Sequence, residues 1–158
     1  MSRKAPPNAL FVRASLEALP AELNGLAHEV SVNFPWGSLL VGVLQPQGDA
    51  VRALRALCRE GAELRITTSI DGARDAAMLA ALPPRFLDKT HQELLTAEYA
   101  AAGLELCAIT ELRDADARAV GTTWARKLAS NPGRTAWQLT FVARELHGSR
   151  CATVSRVR

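Results

Sequence analysis

Short runs of β-branched and apolar residues recur along this chain, and stretches of helical spacing lie between them. That alternation constrains the fold most. Strands separated by helices pair into a mostly parallel sheet with both faces covered, so the expectation is an α/β domain. Ala9–Arg13 (ALFVR) reads as a short buried strand. SLEALPAELNGLAHE follows as a loop or short helical stretch broken by Pro20 and Gly25. Glu29–Phe34 alternates and reads as a strand ending in Asn33-Phe34-Pro35-Trp36-Gly37. Asp49 reads as an N-cap, Val51, Leu54, Leu57 and Cys58 then share a helix face, and Gly61 stops the helix. Glu63–Ile70 predicts the next strand, and residues 73–81 a short Ala-rich helix closed by Pro83-Pro84. Thr90-His91-Gln92-Glu93 has the capping-box pattern and opens a helix to about Ala102, with Gly103 as its stop. Leu104–Ile109 and Trp137–Val142 complete the strands, with a short helix around Trp124–Ala129 between them.

The chain has 158 residues, 48% hydrophobic and 22% charged, which fits one globular domain and excludes wholesale disorder. Residues 1–8 read as a loose tail, 9–143 as the domain and 144–158 as a basic tail. The net charge of +3 permits an RNA or phosphate partner without demanding one. Cys58, Cys107 and Cys151 lack metal-ligand or disulfide-framework spacing, so no metal site is expected. His28, His91 and His147 stand at neither metal nor triad spacing and read as surface or capping residues. No apolar run of about 18 residues and no leader pattern are present, so the expected setting is cytoplasmic and away from membranes. Nucleophile-elbow, zinc-protease, phosphate-loop and dinucleotide-binding patterns are all missing.

Two segments can carry chemistry. Ligands on such sheets bind at the carboxyl ends of strands, which points to the NFPWG segment. Pro35 stiffens the chain there and Gly37 permits a tight turn, so Trp36 can be held out as a stacking surface; the alternative is a Trp36 packed in the core. In Gly121–Leu128 a tryptophan, Trp124, precedes the cations Arg126 and Lys127. An aromatic beside cations suits an unpaired base and its phosphates; the alternative is a solvated basic helix with Trp124 against Leu128. Arg74, Asp75 and Arg85 could line a cleft but read more simply as surface ion pairs, and Trp137 reads as core.

Together, ALFVRASLEALP, VNFPWGSLL and TTWARKLA resemble, over residues 7–143, the aminoglycoside-resistance methyltransferases that modify N1 of an adenine in the decoding A site of 16S rRNA. The resemblance implies a Rossmann-like class I S-adenosylmethionine (SAM) methyltransferase fold, incomplete here. It implies that Trp36 and Trp124 clamp a flipped adenine, an arrangement in which stacking offsets the few kcal/mol lost on flipping. By the same resemblance Ser15, Leu16 and Glu17 border the SAM adenine, and Asn33, Ser38 and Thr122 lie beside cofactor and base. Arg126, Lys127 and Arg134 fall where the family grips the rRNA backbone of the 30S subunit.

Adenine N1 carries a lone pair, so alignment rather than an acid–base pair is what the family's reaction requires. One departure matters. The family's glycine-rich SAM turn and the acidic residue that follows it lie upstream of the part matching ALFVR, and only eight residues precede ALFVR here. The expectation is therefore weak or absent SAM binding and activity, with an unpaired sheet edge. Three arrangements stay open: a longer protein with an upstream start, a shortened inactive relative, or rearranged strands that pair with a second copy as a homodimer. A non-catalytic RNA-binding module derived from the family is the competing function.

Overall fold

The computed structural model describes residues 8–46, 48–71, 75, 87–121, 123 and 134–145. After two 3-10 turns, Leu16–Ala18 and Ala21–Leu23, come β1 (Ala27–Asn33), α1 (Ser38–Leu44), α2 (Asp49–Leu57) and β2 (Cys58–Ile70). Then follow α3 (Lys89–Ala101), β3 (Leu104–Leu112), α4 (Asp114–Ala119) and β4 (Thr135–Ala143). The sheet order is β1-β2-β4-β3. β1 runs parallel to β2, with Val30 opposite Leu64 and Asn33 opposite Thr67. β4 is antiparallel to both β2 and β3, so three strands share one direction and one opposes them.

The core forms where these patterns meet. Leu64, Ile66, Leu139 and Phe141 of the sheet are fully buried against Val43 and Leu44 of α1, Leu54 of α2, and Leu95 and Tyr99 of α3. The Tyr99 and Phe141 rings stack with centroids 4.1 Å apart, a contact worth about 0.5–1.5 kcal/mol beyond the area it buries. α1 lies close on α2: a Cβ added at Gly42 would come within 3.1 Å of the Ala50 Cβ. Trp137 packs partly buried against the core, as its alternation with Leu139 and Phe141 predicts.

Several expectations need correction. Ala9–Arg13 is not a strand: it lies outside the sheet, with Leu10 80% and Phe11 77% exposed. A buried strand needs a neighbour to pair with, and among the described residues β1 hydrogen-bonds only to β2 and leaves its other edge open. β2 starts at Cys58, directly after α2, so Gly61 lies inside a strand rather than stopping a helix. α1 and α4 were not expected at all. The expected helices at 73–81 and 124–129 fall outside the described residues, apart from Asp75.

The cap of α3 is Asp88, whose Oδ1 accepts from the His91 N–H at 2.9 Å, two residues before the expected Thr90 box. His91 itself is 1% exposed, not on the surface. Its Nδ1 accepts from the Leu87 N–H at 3.1 Å, and its Nε2 lies 2.6 Å from the Leu44 carbonyl. Burial of such a ring is tolerable because both nitrogens find partners. His28 is exposed and touches Arg59; His147 lies outside the described residues.

Candidate functional site

β1, β2 and β3 all end at one edge of the sheet, where β4 begins: Ile70 faces Thr135, and Leu112 faces Ala136. The NFPWG segment leaves β1 at that edge. Phe34 takes a left-handed backbone, φ 53°, which costs on the order of 1–3 kcal/mol for a residue with a side chain. Its N–H is held by the Thr67 carbonyl at 2.7 Å. Pro35 is buried, and Gly37 follows with φ 60°, ψ −133°, a conformation that favours glycine. Between these two unusual residues Trp36 is pushed outward and stands 59% exposed. Of the two readings that the sequence left open, the core-packed Trp36 is excluded.

Asn33, the last residue of β1, and Ser38, the first of α1, are exposed on either side of Trp36. The Leu16–Ala18 turn packs on α2; Leu16 is tucked against the core, while Ser15 and Glu17 are exposed. Ser15 precedes the turn but makes no side-chain capping bond. Thr122, Trp124, Arg126 and Lys127 lie outside the described residues.

Arg134 stands at the same edge but faces inward. Its guanidinium meets Asp75 in a two-pronged ion pair, with both contacts at 3.2 Å, and also donates to the Ser69 carbonyl at 3.1 Å. The two side chains are only 10% and 4% exposed. Asp75 also accepts from the Asp71 N–H at 2.9 Å. An arginine matched by a buried carboxylate is held within the fold and does not present its charge to a phosphate. Sequence reasoning missed this role, because Arg134 and Asp75 are 59 residues apart and nothing in their spacing links them. Two buried polar atoms lack partners there, Thr68 Oγ1 and Arg134 Nε. Among the described residues no group of three His, Cys, Asp or Glu converges on a metal position, and no helix is long and apolar enough to cross a membrane.

Comparison with known proteins identifies the family and the fold. A family model described as NpmA, 16S rRNA (adenine(1408)-N(1))-methyltransferase, matches residues 1–143. A 16S rRNA (adenine(1408)-N(1))-methyltransferase of Streptoalloteichus tenebrarius is 33% identical over 81% of this chain and 59% of its own length. The aminoglycoside resistance methyltransferase NpmB1 superposes with a TM-score of 0.68 at 40% identity, over 87% of this chain and 62% of that one. A mutant 16S rRNA (adenine(1408)-N(1))-methyltransferase from Catenulisporales acidiphilia, solved with its cosubstrate SAM, gives 0.70 at 30% identity, over 86% and 62%. This chain thus spans about 60% of the length of these relatives, and its mixed sheet is part of the methyltransferase fold that they share. With the family model covering most of its residues, the chain belongs to the NpmA family of 16S rRNA (adenine(1408)-N(1))-methyltransferases.

Proposed function

We propose that this chain is the rRNA-facing part of a 16S rRNA adenine-N1 methyltransferase, and that Trp36 forms one wall of the slot for the extruded decoding-site adenine. The supporting observation is the ring's 59% exposure on a segment anchored at both ends, at the carboxyl edge of the sheet. An indole held in place stacks a base without itself losing freedom, and each such stack is worth about 1–3 kcal/mol. Trp124 is the opposite wall in this reading, Thr122 lies beside the base, and Arg126 and Lys127 meet the rRNA backbone. Arg134 joins those cations only if Asp75 releases it. The partner is the 30S subunit in the cytoplasm, and aminoglycoside resistance is the consequence of the completed reaction.

SAM is the cofactor of this family's chemistry and supplies a sulfonium methyl. The residues here fit it incompletely. Ser15, Leu16, Glu17, Asn33 and Ser38 furnish one flank, whereas Leu10, Phe11 and Val12, which lead into it, are 47–80% exposed where a finished wall would bury them. The chain by itself accordingly binds SAM weakly, and no chemical step is assigned to it. In the same reading the edge of β1 that is open among the described residues is where a second copy pairs if the chain dimerises, and Leu10, Phe11, Val12 and Leu26 are exposed apolar side chains such a contact could cover. The competing RNA-binding module shares the Trp36 platform and dispenses with the cofactor.

Titration of 30S subunits at several salt concentrations, together with SAM calorimetry, tests the proposal. The expected result is 30S binding that weakens with salt, a faint SAM signal and little methyl incorporation from labelled SAM. No 30S binding at low salt refutes the rRNA reading, brisk methylation refutes weak SAM binding, and 30S binding with no SAM heat favours the module.

A further inference from the structure

We infer that Tyr99 and His91 of α3 are positioning residues for Trp36, acting through α1; the inference rests on the reading of Trp36 as a base-stacking wall. α1 has seven residues, so it is about 10 Å long and too short to hold its own shape in water. Like every helix it ends in carbonyls without intrahelical partners. Two of these are met from α3, about fifty residues further along the chain. Tyr99 Oη donates to the Val43 carbonyl at 2.8 Å, and His91 Nε2 meets the Leu44 carbonyl at 2.6 Å.

Neither clamp can drift. Tyr99 is fully buried and its ring is stacked on Phe141, itself fully buried in β4. The His91 ring is held from its other side by the Leu87 N–H. Gly42 against Ala50 restrains the same helix from α2.

The first residue of α1 comes two positions after Trp36. On the other side of Trp36, Phe34 is tied to β2 by its bond to the Thr67 carbonyl. The indole therefore projects from a short bridge between β2 and α1, and Tyr99 and His91 fasten α1 at its far, C-terminal end, so they act on the bridge through the length of the helix. A side chain lost from α3 is felt at a ring it does not touch.

The test uses the full chain labelled with 5-fluorotryptophan, with the Trp36 fluorine resonance assigned by its disappearance in Trp36→Phe. Tyr99→Phe keeps the ring stack and removes only the donor; His91→Leu is the second variant, should the first fail to fold. Either is expected to shift or broaden the Trp36 resonance and to leave that of Trp137 in place. Each is also expected to weaken 30S binding by about 2- to 10-fold, the factor that one net hydrogen bond carries, with no further loss when added to Trp36→Ala. An unmoved Trp36 resonance in both variants overturns the inference, as does an additive loss in the double variant. If the unmutated chain fails to bind 30S subunits, the stacking reading falls, and the fluorine signal still decides the positioning role.

Discussion

Removal of the Asp75 carboxylate is the most severe single change in the described part of the sheet edge. In Asp75→Ala the Arg134 guanidinium, 10% exposed, loses its two-pronged carboxylate partner while its bond to the Ser69 carbonyl stays, and the Asp71 N–H loses the Asp75 acceptor. Two unit charges about 4 Å apart attract by roughly 4 kcal/mol at an effective dielectric of 20. Removal of one partner of a buried pair typically costs about 3–5 kcal/mol. Against a total stability of about 5–15 kcal/mol that is roughly a fifth or more of what keeps the chain folded. Urea unfolding at neutral pH should show a midpoint shift of that size with little change in slope. The double variant Asp75→Leu with Arg134→Met should recover most of the loss, since two well-packed apolar side chains replace a buried pair at little cost. A loss below about 1 kcal/mol in Asp75→Ala is the value of an exposed pair and refutes the reasoning. Arg134 would then be free for RNA, as the sequence resemblance alone suggests.

The remaining expectations are smaller. Burial raises the Tyr99 hydroxyl above its ordinary 10.0, and burial raises the Cys58 thiol above 9.0 against the opposing pull of Arg55. The fold favours the protonated form of both groups, so stability is level below about pH 9 and falls as the pH rises beyond it; urea midpoints at pH 7.5 and 10 should differ in that direction. Leu10→Ser with Phe11→Ser should change stability by less than about 0.5 kcal/mol, because both side chains already face water. The same variant should reduce any self-association seen by light scattering. A large loss of stability would mean that ALFVR packs after all.

How much of this was legible beforehand follows from which interactions are local. β1, β2, β3, β4, α2 and α3 all announce themselves by their period, but β2 begins at Cys58, five residues before the expected Glu63, because Gly61 continues that strand and does not stop α2. α1 escapes notice because SLLVGVL has no polar face and contains a glycine, so a buried strand reads as well. α4 hides in DADARA, which reads only as an acidic stretch. ALFVR misleads for the opposite reason: its composition is that of a strand, but burial depends on a neighbour that periodicity cannot supply.

The site divides in the same way. Pro35 and Gly37 mark a stiff turn after β1, but whether Trp36 points in or out depends on Phe34 adopting a positive φ and on the Thr67 carbonyl across the sheet. The roles of His91, Tyr99, Asp75 and Arg134 come from partners 47–59 residues away, beyond the reach of any local pattern. Trp124, Arg126, Lys127 and Thr122 remain a reading of the sequence alone.

In the proposed reading the Trp36 indole stacks a base and does no work in the core. Trp36→Ala, compared with the unmutated chain in 30S binding at fixed salt and in urea unfolding, tests it most directly. The variant should bind about 5- to 100-fold more weakly, the loss of one stacked base, with an unfolding midpoint nearly unchanged and binding largely restored by Trp36→Phe. Unchanged affinity, or a loss of affinity that merely follows a loss of stability, would contradict it.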